Sequence, residues 1–112
     1  MEIKEYAKAF NNELSLAGLR RDVTSYTFNS RCLMVYSLFE LEDYEKCVVM
    51  LDRTINGVMA DLLENRINNK KLVLLGIVLL EQIQNKIPVK YFTKFDRDDM
   101  LISIYSIKNK LE

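Results

Sequence analysis

The chain has 112 residues, with 16 basic and 16 acidic side chains, two cysteines, one proline and no histidine. This length predicts one domain spanning residues 1–112 rather than two. Because 49% of the residues are apolar and the formal net charge is zero, the composition argues against a disordered chain. The lack of histidine removes Ser-His and Cys-His nucleophile pairs and imidazole metal ligands. We therefore expect that the protein is not an enzyme and that it binds no cofactor and no metal.

The amino-terminal residues 1–5 are acidic and amphipathic, unlike a secretory signal. The longest uncharged apolar run, residues 72–80, has nine residues, whereas a bilayer span needs about 20. Cys32 and Cys47 are too few for the disulfide framework of a small secreted domain. We therefore expect a cytoplasmic protein that does not enter a membrane, with both cysteines reduced and buried among apolar neighbours.

The first predicted element is an amphipathic helix over residues 2–17. Ile3, Phe10 and Leu14 belong to an apolar face at helical spacing, and polar side chains occupy the opposite face. Gly18 stands where a left-handed carboxyl-terminal cap is expected.

The next segment is compatible with two structures. Residues 23–28 are β-branched and aromatic, which is typical of a strand that would pair in a hairpin with residues 33–39. Helical spacing from Leu33 onward, with Asp22 and Ser30 as candidate amino-terminal caps, favours helices instead. We favour the helices and keep the hairpin as the alternative.

The clearest periodic pattern runs from Tyr44 to Arg66, with apolar residues at every third or fourth position. Asp43 is predicted to cap its start. Asn56-Gly57 is a turn dipeptide, but the same apolar phase continues on both sides of it. We therefore predict one long helix in which Gly57 lets a neighbouring segment approach closely.

Asn68-Asn69 predicts a loop before a helix over residues 70–86. Its segment 72–80 is apolar on every side, so other helices must surround it, and Gly76 would allow close packing there. This pattern predicts that helix 70–86 is the centre of the fold.

Pro88 suits the first position of a short helix over residues 88–95. Asp96 is predicted to cap a last helix that ends near Leu111. The sequence as a whole thus predicts an all-α compact bundle of five to six helices around the buried helix 70–86.

Residues 38–47, followed by Leu51 and Ile55, resemble the middle of a tetratricopeptide repeat, with a helix end, a tight turn and an Asp-Tyr opening. The resemblance covers about half of one repeat. It implies a helical hairpin that turns at Glu42.

Residues 72–111 resemble the three-helix core of a helix-turn-helix module, in which Ile104 would lie on the buried face of the recognition helix. This resemblance implies a DNA-binding transcriptional regulator. Asp96, Asp98 and Asp99 would open that helix, however, and their carboxylates would repel phosphates. DNA binding is therefore the alternative function rather than the preferred one.

Charge is distributed unequally along the chain, with 7 basic and 11 acidic side chains in residues 1–64 and 9 and 5 in residues 65–112. The second half carries a basic and aromatic set that is a candidate partner-binding surface, although a solvated face over core aromatics would explain the same residues. The set comprises Arg66, Lys70, Lys71, Lys86, Lys90, Tyr91 and Lys94.

Residues 33–39 and 72–80 are apolar over more than one helix face, so either the bundle encloses both or another subunit covers one of them. Tyrosine and arginine are also enriched at protein interfaces. We therefore expect a small protein-binding module that acts as a regulator, inhibitor or adaptor, with a homodimer as a candidate assembly. The frequency of Asn, Ile and Lys is typical of an AT-rich genome, such as those of many phages and mobile elements.

Overall fold

The computed structural model describes residues 2–16 and 27–112. These residues form five α-helices and one 3-10 helix, and they contain no strand. The helices are α1 (Ile3–Leu16), α2 (Phe28–Glu40), α3 (Tyr44–Leu63), α4 (Lys70–Lys86) and α5 (Arg97–Leu111), with the 3-10 helix at Val89–Tyr91 between α4 and α5. The all-α prediction is confirmed.

Helix α4 is the centre of the bundle, because it contacts each of the other four helices. Its bounds, Lys70–Lys86, are those predicted from the sequence. None of residues 72–80 is exposed, and Leu72, Ile77 and Leu80 are almost completely buried. The surrounding helices of the same chain therefore cover most of the apolar segment, of which Val73, Leu74, Leu75 and Val78 are only partly buried.

The β-hairpin alternative is wrong for residues 33–39, because these residues lie in helix α2. Its buried side chains, Cys32 and Val35, face a helix bundle rather than a paired strand, since α2 packs against α1, α3 and α4. Tertiary packing has overridden local β propensity here. The predictions for Gly18, Asp22 and most of residues 23–28 lie outside the described residues.

Side-chain caps mark the starts of α2, α3, α4 and α5. Asp43 and Asp96 cap α3 and α5 as predicted, and Asn69 caps α4 by accepting a hydrogen bond from Leu72 N at 3.1 Å. The prediction that Ser30 caps a helix is wrong. The cap of α2 is Thr27, three residues earlier, and Ser30 N donates to its hydroxyl oxygen.

The chain turns from α2 into α3 at Glu42. This is the helical hairpin that the resemblance to a tetratricopeptide repeat implies. Glu42 has φ 58°, in the left-handed region. Its N–H donates to Phe39 O, and the N–H of Asp43 donates to Leu38 O, both at 3.0 Å. This pair of bonds is the Schellman motif, which closes a helix when the residue after the cap is left-handed.

Helix α3 ends at Leu63, three residues before the predicted end at Arg66. Asn65, with φ 59°, occupies the left-handed position. The N–H of Arg66 donates to Asp61 O at 2.8 Å, which completes a second Schellman motif. Asparagine tolerates this conformation better than most residues, so the helix stops there.

The predicted short helix over residues 88–95 is wrong except for Val89–Tyr91. Pro88 is extended and precedes this 3-10 helix. The chain turns away after Tyr91, so that the Tyr91 ring packs on Tyr44 of α3 with centroids 5.1 Å apart. Packing on α3 thus fixes this connection, and α5 starts only at Arg97.

Among the described residues, no helix combines the length and apolar character that a bilayer span requires.

Candidate apolar groove between α2, α3 and residues 91–95

An open groove with a volume of about 510 Å³ lies between α2, α3 and the segment that follows the 3-10 helix. Most of its surface is apolar, and charged side chains stand among the lining residues. The apolar and neutral lining consists of Met34, Leu38, Val48, Val49, Met50, Tyr91, Thr93 and Phe95, and the charged lining of Glu45, Lys46, Arg53 and Lys94.

Helix α3 contributes one continuous face of this groove. Lys46, Val49, Met50 and Arg53 follow one another at three- or four-residue steps, so they lie on one side of the helix. Seven residues separate Lys46 from Arg53, which corresponds to a rise of about 10 Å. The adjacent face of α3, which includes Leu51, is buried in the core. One helix thereby serves both the core and the groove.

Helix α2 contributes Met34 and Leu38, which are four residues apart and therefore neighbours on its surface. Met34 is 46% exposed, while Leu38 also packs against the core. Val35 and Cys32, on the other side of α2, are completely buried. Met34 is the part of the apolar segment 33–39 that the bundle leaves open to solvent.

Contacts between aromatic rings connect the third wall of the groove, residues 91–95, to α2 and α3. The rings of Phe39 and Tyr44 lie 6.0 Å apart, and the rings of Tyr44 and Tyr91 lie 5.1 Å apart, both in tilted arrangements. Burial, together with the Glu42 carboxylate, raises the pKa of Tyr44, so this phenol stays neutral. Lys90 Nζ lies 5.2 Å from the Tyr91 ring centroid, a cation–π distance.

The charges around the groove are predominantly positive. Lys46 Nζ lies 3.7 Å from an Asp43 carboxylate oxygen, so its charge is already partly compensated. Within residues 2–16 and 27–112, neither Arg53 nor Lys94 forms an ion pair. Glu45 is the acidic residue of the lining, at the end of the groove near the α2–α3 turn.

The predicted basic set is divided by the length of α4. Lys70 and Lys86 are its first and last residues, so their backbones are about 24 Å apart along the helix axis. One group, Arg66, Lys70 and Lys71, lies at the start of α4, and the other, Lys86, Lys90, Tyr91 and Lys94, lies at or beyond its end. The structure does not form these seven residues into one patch.

The first group is partly neutralised by neighbouring carboxylates. Arg66 pairs with Asp61, with Nη2 and Oδ1 2.8 Å apart, and also with Glu64. Lys71 Nζ lies 3.6 Å from a Glu13 carboxylate oxygen on α1. In the second group, Tyr91 and Lys94 line the groove directly. A role for any of the seven in partner binding stays a prediction.

Sequence reasoning did not find the helical part of the groove. The predicted set lacks Met34, Val49, Met50 and Arg53, because helical periodicity identifies the core face of a helix and not a second apolar face. The available signal was that Val49 and Met50 are apolar but out of phase with the α3 core residues. Apolar residues out of phase with a core stripe indicate a second contact surface.

Neither cysteine is among the residues that line the groove. Both are free and completely buried, as predicted. The Cys47 thiol donates to Val35 O at 3.5 Å. Burial raises the pKa of Cys32 well above its usual value and that of Cys47 to about 12. Both thiols therefore stay protonated near neutral pH and are poor nucleophiles. Across the described ranges, no three Cys, Asp or Glu side chains cluster as metal ligands do.

No protein-family model matches this chain, and neither a curated protein nor a solved structure matches it.

Proposed function

We propose that this protein is a cytoplasmic protein-binding module that accommodates a segment of another protein in the groove between α2, α3 and residues 91–95. The observation that carries the proposal is the open, apolar lining flanked by Arg53 and Lys94, two cations without an ion-pair partner in the described residues. Apolar surface that is grouped in a concavity and rimmed by polar groups is typical of an interaction site.

The residue types of the lining support a protein partner. Methionine, tyrosine and arginine are enriched at the centres of protein interfaces, and the groove contains Met34, Met50, Tyr91 and Arg53. Methionine side chains also adapt their shape to a partner with little strain. The two cations would orient the partner and accelerate its association. A regulator, inhibitor or adaptor would act by holding a segment of its partner in this groove.

DNA binding through residues 72–111 has less support. A helix-turn-helix module requires two consecutive α-helices joined by a short turn, whereas the connection between α4 and α5 contains only the 3-10 helix Val89–Tyr91. The buried face of α5 does include Ile104, as that resemblance implied. The exposed carboxylates of Asp96, Asp98 and Asp99 nevertheless stand at its start, where they would meet phosphates.

Site-specific photo-crosslinking in the native host tests the proposal. A photoreactive phenylalanine analogue replaces Val49 in the groove or, as the matched control, Ile102, which is 64% exposed on α5 outside the groove. We expect a protein adduct of defined mass from position 49 and not from position 102. The second variant Met34→Glu, which changes an exposed side chain, should abolish that adduct while the circular dichroism spectrum stays helical.

The outcomes separate the candidate partners. A nuclease-resistant adduct at position 49 supports a protein partner, and an adduct of twice the chain mass identifies a second copy of this chain. An adduct that nuclease removes would favour the DNA-binding alternative. Identical adducts from positions 49 and 102, or an adduct unchanged by Met34→Glu, would contradict a binding site in the groove.

A further inference from the structure

The shape of the groove and the charges around it indicate what kind of protein segment it would bind. We propose that it binds an amphipathic α-helix whose apolar face is flanked by acidic side chains; this inference rests on the protein-binding function proposed above. The partner's apolar residues would insert between α2 and α3, and its carboxylates would pair with Arg53 of α3 and Lys94 of the opposite wall.

The geometry of the walls favours a helical occupant. Two of the three walls are helices, and the part of the chain that the structure describes offers no strand edge to which an extended peptide could add. The groove face of α3 runs for about 10 Å between Lys46 and Arg53, which equals about two helical turns. A partner helix laid along this face would present anchors at positions i, i+3 or i+4, and i+7.

The charges favour acidic flanks on that helix. Arg53 and Lys94 come from different walls, so each can reach a carboxylate on a different side of the bound helix. Lys46 adds a third positive charge, although Asp43 partly compensates it. Among the described residues, Glu45 is the only acidic side chain that lines the groove, and it would disfavour an acidic residue at that end of the partner.

The same features make two other occupants less suitable. A nucleic acid needs cations along its backbone and flat surfaces for its bases. Tyr91 and Phe95 supply rings on one wall, but the α2 and α3 walls are aliphatic, and Glu45 would repel phosphates. A small apolar anion would need a site that encloses most of its surface, whereas this groove is open. A polypeptide helix is the occupant that can contact the groove along the whole length of the groove.

A displayed peptide library tests the inference with purified protein. Each peptide is a 16-residue helix with fixed Leu, Ile or Met anchors at i, i+4 and i+7 and with flanking positions randomised among Glu, Gln and Lys. We expect selection to enrich Glu at the flanks, and added salt to weaken binding of the enriched peptides, as screened charge pairs require. The double variant Arg53→Glu/Lys94→Glu should weaken binding of these peptides by about tenfold or more and should instead select Lys at the flanks.

The control is a second double variant, Lys4→Glu/Lys110→Glu, which changes the net charge equally at exposed sites outside the groove. It should leave the enriched sequences unchanged. Equal weakening by both double variants would overturn the inference, because binding would then follow overall charge. Preferential binding of a single-stranded or duplex oligonucleotide, lost in Arg53→Glu/Lys94→Glu, would overturn it in favour of nucleic acid.

Failure of the inference is distinguishable from failure of the proposed function. Enriched helices that require Met34 but show no preference among Glu, Gln and Lys would overturn the acidic partner and leave the groove as a protein-binding site. A position-49 adduct in the host, combined with no enrichment of any helical peptide, would overturn the helical partner alone. Absence of both would overturn the inference together with the function on which it rests.

Discussion

Gly76 of α4 lies directly beneath the ring of Phe28 of α2. A Cβ atom at Gly76 would come within 2.6 Å of Phe28 Cε2 and 3.0 Å of Phe10 Cε1 on α1. Carbon atoms in contact are normally separated by about 3.5–4.0 Å. The missing side chain at Gly76 is therefore what allows α1 and α2 to pack together against the central helix.

We predict that Gly76→Ala destabilises the protein despite the better helix propensity of alanine. Alanine favours a helix interior by about 1 kcal/mol relative to glycine, whereas overpacking a core costs roughly 1–3 kcal/mol. Phe10 is completely buried, so its ring has little room to move. The free energy of unfolding in urea should fall by up to about 2 kcal/mol.

Gly57→Ala is the matched control within α3. Among the described residues, its Cβ would meet only Arg31 Nη1, at 2.7 Å, and that atom is the far end of a flexible side chain. Arg31 can move aside, so the gain in helix propensity should dominate and stabilise the protein by up to about 1 kcal/mol. If Gly76→Ala is as stable as Gly57→Ala, the close packing of Phe28 on α4 is not a constraint.

The sequence predicted the helices well because their determinants are local. The all-round apolar segment 72–80 identifies the central helix, and Asp43 and Asp96 mark the starts of α3 and α5. The largest error lies where a distant contact decides the structure, whereas the misplaced cap of α2 and the early end of α3 are local shifts at helix ends. The residues after Pro88 do not continue as a helix, because Tyr91 instead packs on Tyr44, which is 47 positions away in the chain.

The candidate site was less accessible from the sequence, because three separated segments build it. Tyr91 and Lys94 were identified from their composition, but nothing local indicates that they face Met34 of α2 and Val49 of α3. Composition also groups Lys70 with Lys94, although α4 separates them. Lys70 is the first residue of α4, and Lys94 lies beyond its last residue. Helix periodicity gives the direction of a side chain, whereas only the packing of helices shows which faces combine into a groove.

We predict that Glu42→Gly stabilises the protein. Glu42 has φ 58° at the α2–α3 turn, and the left-handed conformation costs a residue with a Cβ about 1–2 kcal/mol. Glycine removes this strain but has more conformational freedom in the unfolded chain, so the net gain should be about 0.5–1 kcal/mol. Thermal unfolding should show a higher Tm for Glu42→Gly.

Asn65→Gly provides the comparison for this prediction. Asn65 has nearly the same φ, 59°, but asparagine tolerates the left-handed region because its side chain bonds locally to the backbone. Its replacement by glycine should therefore give a smaller gain than Glu42→Gly, or none. Equal gains at both positions would indicate that side-chain type does not determine the strain at these two turns.

We predict that the stability of the protein falls at alkaline pH through Cys47. Its folded-state pKa is raised to about 12 by burial, whereas an unfolded thiol has a pKa of about 8.5. The folded state holds this proton more tightly, so the contribution is complete below about pH 8.5 and is lost as the pH rises towards 12. From pH 8.5 to 10.5 the unfolding free energy should drop by about 2 kcal/mol through this group.

Cys47→Ala isolates that contribution from the tyrosines and lysines that titrate in the same range. The wild type should lose more stability than Cys47→Ala between pH 8.5 and 10.5 in urea titrations. Iodoacetamide should modify Cys47 in folded protein at pH 8 only as fast as the protein unfolds, since the thiolate is the reactive form. Parallel stability curves for the two proteins, or rapid alkylation of the folded state, would contradict the burial of this thiol.

Glu81 of α4 and Lys108 of α5 form the best-buried ion pair of the described residues. Lys108 Nζ lies 3.2 Å from Glu81 Oε1, and the two side chains are 26% and 10% exposed. Lys108→Met would leave the carboxylate with little water and no cation. We therefore expect a loss of about 1–3 kcal/mol, less than for a fully buried pair because solvent still reaches Lys108.

The double variant Glu81→Gln/Lys108→Met should recover much of this stability, because it removes the unpaired charge as well as the cation. Lys110→Met is the control for the loss of one positive charge from α5, and at its exposed position it should change the unfolding free energy by less than about 0.5 kcal/mol. A double-mutant cycle from urea titrations should give a coupling energy of about 1–2 kcal/mol between Glu81 and Lys108. If Lys108→Met costs no more than Lys110→Met, the Glu81 carboxylate is hydrated in the folded protein and the pair does not tie α5 to α4.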